Sequence, residues 1–204
     1  MIVMALPKGR VLESSAAFLA GCGMSLPAEV GSTRKLQLTS EDGRYRFALV
    51  KPVDVPTYVE YGVADAGICG TDVLQELSPD VHQPLDLQFG RCRMVVAGKP
   101  GGIVHSPVRI ATKYPRITER HFRRRGQAVE VIPLSGSVEL APALGLAELI
   151  IDLVETGSTL RENGLVALEE VMECSARLII NRASFHTKQE EIGALLDAME
   201  KQLS

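Results

Sequence analysis

The sequence predicts an α/β protein built of two similar lobes that face one cleft. Strand-like and helix-like segments alternate along the chain, as they do in α/β folds. The stretch that begins at Gly62 resembles the one that begins at Gly145: after the glycine, each has an acidic residue, a buried strand and a polar turn that opens a helix. The 204 residues suffice for one large domain or two small lobes, and the repeated turn favours two lobes. Chance similarity is the alternative, because Gly and Ala are common.

Apolar runs and turn residues define the elements of the first part of the chain. The predicted strands are 2–6, 35–39, 44–50 and 66–69, and the predicted helices are 9–22, 56–61 and 71–77. Residues 41–43, Glu-Asp-Gly, are a hairpin signal, and Pro56 suits the first turn of the second helix. Helical spacing predicts one buried face for the first helix, made of Leu12, Ala16, Leu19 and Ala20.

The second part of the chain continues the alternation. The predicted strands are 93–97, 108–111, 129–134, 149–153, 166–172 and 176–181, and the predicted helices are 116–125 and 184–203. Gly126 stops the first of these helices. The basic stretch 120–125 falls on its last turns, where cations offset the helix dipole, so we interpret it as a solvated face rather than a nucleic-acid patch.

The composition is that of an ordinary globular protein, with 46% hydrophobic and 23% charged residues. A formal net charge of −3 argues against general nucleic-acid binding, although local Arg and Lys can still hold an anion. The four cysteines and four histidines are scattered, which predicts no zinc site and buried thiols in a reducing compartment. Neither a signal peptide nor an apolar run of membrane-spanning length is found, so we expect a cytoplasmic protein.

The most informative stretch follows the predicted strand 149–153. Its polar residues are Asp152, Glu155, Thr156, Gly157, Ser158 and Thr159. The glycine lets the backbone approach a ligand, a helix N-terminus attracts anions, and the three hydroxyls are donors for phosphate oxygens. The two carboxylates can accept hydrogen bonds from sugar hydroxyls or hold a divalent cation. Together these groups suit a ribose that carries a 5-phosphate.

An ordinary N-cap turn explains the same residues without any ligand. The stretch is neither a dinucleotide fingerprint nor a Walker loop, because G-x-G-x-x-G and Gly-Lys-Ser/Thr are both missing.

Basic side chains stand at strand ends in the first part of the chain. Lys8 and Arg10 lie at the start of a predicted helix, where cations are slightly unfavourable, and this mismatch favours anion binding over a surface charge. Arg34, Lys35 and Lys51 stand at strand edges and together suit a pyrophosphate or triphosphate. Each of these three, taken singly, is more simply a solvated charge.

A second polar turn lies at 133–139, where a strand end, a glycine turn and a helix start follow one another. The simple interpretation is a helix cap. The functional interpretation places Ser137 and Glu139 beside the Asp152 loop, facing the same ligand.

Five motifs occur in order along nearly the whole chain. They are Leu6-Pro-Lys-Gly-Arg10, Asp54–Glu60, Gly62–Gly70, Ala111-Thr-Lys-Tyr114, and a final block of Glu139–Leu146 through Asn163–Leu165. Together they resemble the ATP phosphoribosyltransferase family of histidine biosynthesis in its short form, and the final block is the most specific. Thr71 departs from the pattern, because other members often have a basic residue there.

The resemblance implies a fold, a reaction and a division of labour. The fold would be two α/β lobes similar to type II periplasmic binding proteins, with the chain crossing between them twice. Lobe I would comprise 1–90 and 173–204, on the ATP and pyrophosphate side, and lobe II would comprise 91–172 with the phosphoribosyl-binding loop. The reaction would join N1 of the ATP adenine to C1 of 5-phosphoribosyl 1-pyrophosphate and release pyrophosphate, with Mg²⁺ bound mainly through substrate phosphates.

The resemblance also implies roles for particular residues. The loop over 155–159 would hold the 5-phosphate, Asp152 with Glu139 nearby would face the ribose hydroxyls, and basic residues would meet the phosphates of pyrophosphate or ATP. The catalytic residues would be Arg10, Arg34 and Asp152. The substrate-binding residues would be Lys8, Gly9, Lys51, Ser137, Glu139, Glu155, Thr156, Gly157, Ser158 and Thr159. No protein metal ligand is assigned.

The short form further implies a partner. The chain would be a homodimer within a hetero-oligomer that contains a regulatory subunit similar to histidyl-tRNA synthetase, and histidine would inhibit only through that subunit. Nucleic acid and membrane are not expected as partners.

Two rival functions use the same fold. One is a non-enzymatic solute-binding or sensor domain, against which the phosphoribosyl-type loop and the missing signal peptide argue. The other is a phosphoribosyltransferase of another pathway. Pyrophosphate release from phosphoribosyl pyrophosphate, first with ATP and then with other bases, separates the three possibilities.

Overall fold

The computed structural model describes residues 1–27, 35–102 and 106–204, so the predicted site residue Arg34 lies outside the described residues. The described chain forms two compact units. The first contains Met1–Gly90 and Ser175–Ser204, and the second contains Arg91–Cys174. Each unit has its own β-sheet and is described by itself.

The elements are named in chain order. The strands are β1 (Ile2–Pro7), β2 (Gln37–Thr39), β3 (Tyr45–Val50), β4 (Ala66–Gly70), β5 (His82–Asp86), β6 (Cys92–Gly98), β7 (Val108–Thr112), β8 (Val129–Pro133), β9 (Leu149–Val154), β10 (Val166–Cys174) and β11 (Ala176–Ile180). The helices are α1 (Arg10–Gly21), α2 (Val55–Glu60), α3 (Thr71–Leu77), α4 (Pro115–Arg123), α5 (Leu140–Leu144), α6 (Ser158–Glu162), α7 (Arg182–Thr187) and α8 (Gln189–Leu203), with a short 3₁₀ turn at Pro52–Asp54.

The first unit is built on a six-stranded sheet in the order β2-β3-β1-β4-β11-β5. β1 runs parallel to β3 and β4, with Pro7 opposite Val50, so the carboxyl ends of β1 and β3 lie side by side. The remaining pairings, β2–β3, β4–β11 and β11–β5, are antiparallel. The loops that follow β1 and β3 therefore leave the sheet at the same edge.

Two apolar layers cover this sheet because successive strand residues face opposite sides. In β1, Met4 and Leu6 belong to the cluster that holds Leu19 of α1 and Leu195 of α8. Ala5 belongs to the opposite cluster. The helical members of that opposite cluster are Val55 and Val59 of α2 and Val73 and Leu74 of α3.

The second unit is built on a five-stranded sheet in the order β10-β6-β9-β7-β8. β9 is central: it is parallel to β7 and antiparallel to β6. Ile150 packs toward α5 and α6, whereas Ile151 packs toward α4, and both are fully buried. A strand covered on both faces reads as a continuous apolar run, which is why 149–153 was recognisable in the sequence.

The α/β class is confirmed, but several local predictions are wrong. β5 was not predicted, and the terminal helix is two helices that meet at Lys188, whose φ of −125° interrupts the helical backbone. Of the four residues predicted to form the buried face of α1, Ala20 is exposed. Ser15 is buried instead, and its hydroxyl donates to the carbonyl of Val11 at 2.7 Å.

The basic stretch 120–125 is only partly a solvated face. Phe122 is buried in the core under α4, and the His121 side chain is 12% exposed, with Nε2 2.9 Å from Oε1 of Glu169. Arg125 pairs with the same carboxylate. Among the described helices, none is long and apolar enough to cross a membrane.

Candidate functional site

A buried carboxylate stands near the end of β9. Asp152 is 8% exposed. Its Oδ1 accepts a hydrogen bond from the backbone N–H of Leu153 at 2.9 Å, and its Oδ2 lies 3.4 Å from Nζ of Lys113, the residue that follows β7.

The environment of Asp152 disfavours its charge overall. Burial raises its pKa above the ordinary aspartate value, and Glu139 adds to the rise. Lys113 and the N–H of Leu153 act in the opposite direction without cancelling it. Opposing influences on the pKa of one buried carboxylate are common at functional sites.

The turn after β9 exposes three hydroxyl-bearing residues: Thr156, Ser158 and Thr159. Thr156 Oγ1 lies 3.2 Å from Ser158 Oγ and 3.5 Å from the Ser158 backbone nitrogen, so these contacts stay within the turn. Glu155 is also exposed. Leu160, in the first turns of α6, is buried in the core and fixes the helix beneath the hydroxyls.

Gly157 makes this turn possible. Its φ of +75° lies in the left-handed region that side chains rarely adopt. A Cβ at this position would also meet Nη1 of Arg161 at 3.2 Å. Arg161 Nη1 donates to the carbonyl of Thr156 at 3.2 Å and so braces the turn from behind.

The turn before α5 brings Glu139 to the same place. Glu139 is half-buried and acts electrostatically on Asp152. Ser137 is exposed at a φ of +49°, an unusual conformation for a residue other than glycine, while the neighbouring Val138 is fully buried. Neither Ser137 nor Glu139 makes a side-chain capping bond to α5, so the simple cap interpretation does not describe this turn.

Three predicted cations of the first unit, Lys8, Arg10 and Lys51, are exposed near the shared edge of β1 and β3. The N–H of Lys8 donates to the carbonyl of Val50 at 2.8 Å, which places Lys8 beside the backbone that leads into Lys51. Arg10 opens α1, and Gly9 before it has a φ of +89° with open space around it. Within the described ranges, the ammonium groups of Lys8 and Lys51 have no carboxylate partner.

The Thr71 side chain and backbone N–H are both used within the chain. Its hydroxyl donates to the carbonyl of Ser175 at 2.9 Å, and its backbone N–H donates to the same oxygen. This position supplies no cation in the present chain.

Sequence reasoning missed two residues of the second unit. Lys113 was seen only as part of a motif, and Arg161 was not singled out. Lys113 follows β7 and Asp152 lies in β9, so the sequence signal would have been the parallel pairing of two strands whose partners are 39 residues apart.

No group of three or more His, Cys, Asp or Glu in the described part of the chain is arranged to hold a metal ion. A Mg²⁺ ion, which needs octahedral oxygen coordination, would therefore depend on phosphate oxygens of the substrate.

A protein-family model, HisG: ATP phosphoribosyltransferase, matches residues 51–201. An ATP phosphoribosyltransferase of Geobacter metallireducens is 48% identical over 207 residues, covering 98% of this chain and 97% of that protein. One of Caldanaerobacter subterraneus is 50% identical over 194 residues, covering 94% and 92%.

Solved structures agree with this likeness. The ATP phosphoribosyl transferase (HisG:HisZ) complex from Thermotoga maritima contains a chain with a TM-score of 0.86 and 39% identity, covering 99% of this chain and 97% of that one. The VFT2 domain of Bordetella pertussis BvgS, with a TM-score of 0.62 and 13% identity, covers 100% of this chain and 88% of that one. The latter likeness concerns the fold alone, and it confirms the predicted resemblance to periplasmic binding proteins.

Proposed function

The chain belongs to the ATP phosphoribosyltransferase family, and from that premise we propose which of its residues carry the reaction. The activity is that of a pentosyltransferase, a glycosyltransferase that joins N1 of the ATP adenine to C1 of 5-phosphoribosyl 1-pyrophosphate and releases pyrophosphate. It is the first step of histidine biosynthesis.

The turn after β9 binds the 5-phosphate in this proposal. The single observation that carries the assignment is the set of exposed hydroxyl residues Thr156, Ser158 and Thr159 around the left-handed Gly157. Phosphate oxygens accept hydrogen bonds from hydroxyls and from free backbone N–H groups at the start of a helix. Glu155 flanks this turn and is assigned to the sugar side of the ligand.

Asp152 and Glu139 face the ribose. When pyrophosphate leaves, positive charge develops on the ribose ring, and a nearby carboxylate stabilises that charge. Asp152 is buried, so its field is little screened by water. Ser137 stands two residues before Glu139 and supplies a further hydroxyl.

The cations of the first unit stabilise the negative charge of the phosphates in this proposal. We assign Lys8, Arg10 and Lys51 to the phosphates of ATP or of the departing pyrophosphate, because they share one sheet edge. Arg34 is assigned the same role from the sequence alone. Arginine forks pair well with phosphate oxygens, which suits the two arginines to the leaving group.

No strong general base is required. Adenine N1 carries a lone pair and attacks C1 as the bond to pyrophosphate breaks, so no proton has to be removed from the nucleophile. A Mg²⁺ ion bound through pyrophosphate oxygens would add charge stabilisation there.

We extend the expected assembly and location to this chain on the same basis. The chain is proposed to act with a HisZ-type regulatory subunit, since its relative from Thermotoga maritima is a HisG:HisZ complex. Within that complex it is proposed to form a homodimer and to work in the cytoplasm.

The test is pyrophosphate release from phosphoribosyl pyrophosphate, measured with the purified chain and again with the regulatory subunit added. Release with ATP, and none with other purine or pyrimidine bases, is expected. Release with a different base in place of ATP would assign the chain to another pathway. Binding without release in both preparations would favour the solute-binding alternative.

A further inference from the structure

Lys113 is fixed beside Asp152 by the sheet. β7 and β9 are parallel neighbours, with Thr112 opposite Ile151, so the next residue of each strand is Lys113 on one side and Asp152 on the other. The 3.4 Å between Nζ and Oδ2 is the side-chain consequence of that register.

The backbone around Lys113 is held on both sides. The Thr112 hydroxyl is fully buried; it donates to the carbonyl of Ile151 at 2.8 Å and accepts from the N–H of Tyr114 at 2.9 Å. Thr118 of α4 then donates its hydroxyl to the carbonyl of Tyr114 at 2.7 Å. The Lys113 side chain therefore extends from a backbone segment that hydrogen bonds hold on both sides.

The charges around Asp152 are known from each element that packs against it. Glu139, before α5, opposes the ionised form, and so does burial. Lys113, after β7, and the N–H of Leu153 favour it. On the remaining neighbour, β6, the residue opposite Asp152 is the apolar Val95. Lys113 is the cation that offsets burial and Glu139 at this carboxylate.

A structural ion pair in the first unit provides a contrast. Asp65 accepts from Lys188 Nζ at 2.8 Å, from Ser184 Oγ at 2.7 Å and from the N–H of Val3 at 2.8 Å, so its two oxygens receive three hydrogen bonds. Asp152 has a longer ion pair and one backbone bond, and Lys113 is 37% exposed. The pair of the second unit leaves acceptor capacity for a ligand.

We propose that Lys113 is a positioning residue for phosphoribosyl transfer: it keeps Asp152 ionised and holds its Oδ2 while the carboxylate faces the ribose. The claim rests on the proposed assignment of Asp152 to the ribose. Lys113 itself transfers no proton and forms no bond to the substrate.

The test compares Lys113→Met with Lys113→Arg across pH 5 to 9, with kcat/KM for phosphoribosyl pyrophosphate as the readout. Without the ammonium group, the Asp152 carboxyl protonates at a higher pH. The acidic limb of the profile should therefore move up by about one pH unit, which is about a tenfold loss below the limb and much less at pH 8. Lys113→Arg should restore most of the profile.

Arg93→Met is the matched control. Arg93 pairs with Glu170 at the same 3.4 Å, in the same unit, but both side chains are exposed. Its removal should leave the profile where it is. Circular dichroism establishes that each variant is folded, and Lys113→Gln replaces Lys113→Met if the latter is not.

A second readout needs no turnover. Carbon-13 carboxyl NMR of the free chain, with the Asp152 signal identified through Asp152→Asn, should show that Lys113→Met raises the titration midpoint of that carboxyl. An unmoved midpoint would overturn the proposal, and so would a loss of kcat/KM by the same factor at every pH, which indicates direct substrate contact. If the chain releases no pyrophosphate at all, the proposed function fails and the NMR titration alone decides the role of Lys113.

Discussion

The segments around β4 and β9 begin with the same hydrogen-bonded acidic residue, but they differ at the end of the strand and in the turn that follows it. Before β4, Asp65 accepts a hydrogen bond from the N–H of Val3 on the parallel neighbour β1, and its own N–H donates to the carbonyl of Val3, both at 2.8 Å. Before β9, Glu148 makes the same two bonds with Arg109 of β7, at 2.8 and 3.0 Å. Each acidic residue clamps the start of one parallel strand to the next.

The two strands then diverge. The seventh residue after Gly62 is Cys69, and the seventh after Gly145 is Asp152. Cys69 is 1% exposed, and burial raises the pKa of its thiol, so this position carries no charge near neutral pH. Asp152 occupies a similar place with a carboxylate. The second unit thus has a carboxylate where the first has a core cysteine, and this carboxylate is the one proposed to face the ribose.

The turns diverge in the same sense. After β4, Thr71 is bonded to Ser175 of the chain, and Asp72 is buried. After β9, the hydroxyl residues of the turn are exposed, and the contacts of Thr156 and Ser158 stay within the turn. The turn proposed to bind phosphate is therefore the one whose hydroxyls make no hydrogen bond outside the turn among the described residues.

The largest expected effect is that of Gly157→Val in the open turn. The side chain would force the turn out of its left-handed conformation and disturb the bracing Arg161, so the hydroxyls and N–H groups would no longer converge. Affinity for phosphoribosyl pyrophosphate should fall by about a thousandfold, or about 4 kcal/mol, in isothermal titration calorimetry.

Gly126→Val is the control for backbone strain. Gly126 has a φ of +66°, open space around it and a place after α4, away from the turn. Its affinity should match that of the unchanged chain. An equal loss of affinity in Gly157→Val and Gly126→Val would mean that the Gly157 effect is general backbone strain. It would then give no support to a phosphate site in the turn after β9.

The next effect concerns the cations of the first unit. Arg10→Ala should lower kcat by about a hundredfold, close to 3 kcal/mol, the scale for losing a preorganised donor to a developing negative charge. Arg10→Lys should recover only part of it, because an ammonium group lacks the bidentate fork. Arg34→Ala is expected to behave in the same way, and near-normal turnover in either alanine variant would return that residue to the class of solvated charges.

A smaller pair of effects separates the structural carboxylate from the functional one. Burial tends to raise the pKa of Asp65, but Lys188, the N–H of Val3 and the Ser184 hydroxyl outweigh it and hold the pKa below the ordinary value. Asp65 therefore stabilises the fold above about pH 4, and that contribution is lost as the pH falls through this range. Asp65→Asn should cost about 2 kcal/mol of unfolding free energy at pH 7.

The contribution of Asp152 to stability depends on pH in the opposite direction. Its pKa is raised in the folded chain, so the fold loses stability as the pH rises through the aspartate range and the carboxyl must ionise. Asp152→Asn should therefore increase the unfolding free energy by about 1 kcal/mol at pH 7, while it removes activity. Urea denaturation at pH 7 and at pH 4 measures both variants, and destabilisation by Asp152→Asn would make Asp152 a structural residue like Asp65.

The sequence contained the repeated frame because its determinants are local. A glycine, an acidic residue, an apolar run and a polar turn follow one another within a dozen or so residues, so the similarity of the stretches after Gly62 and Gly145 could be predicted. Asp152 and the hydroxyl turn could be predicted for the same reason. The acidic clamps themselves were not foreseen, because their partners Val3 and Arg109 lie far away in the chain.

The features that the sequence did not predict depend on pairing between segments that are distant in the chain. β5 contains Pro84, has weak alternation and lies at the sheet edge, so its local pattern is poor and only β11 gives it a place. The role of Lys113 requires knowing that β7 pairs with β9 in parallel. Lys188, at the break between α7 and α8, donates to Asp65, and helical periodicity cannot reveal a contact between such distant residues.

The most direct test of the contrast between the two turns is an amide NMR titration with ribose 5-phosphate, a probe that lacks the pyrophosphate. The backbone signals of 156–159 are expected to shift in a saturable way, while those of Gly70, Thr71 and Asp72 stay in place. Gly157→Val should abolish the shifts, and Gly126→Val should preserve them. Saturable shifts at the turn after β4, or none at the turn after β9, would contradict the assignment of the phosphate to the open turn.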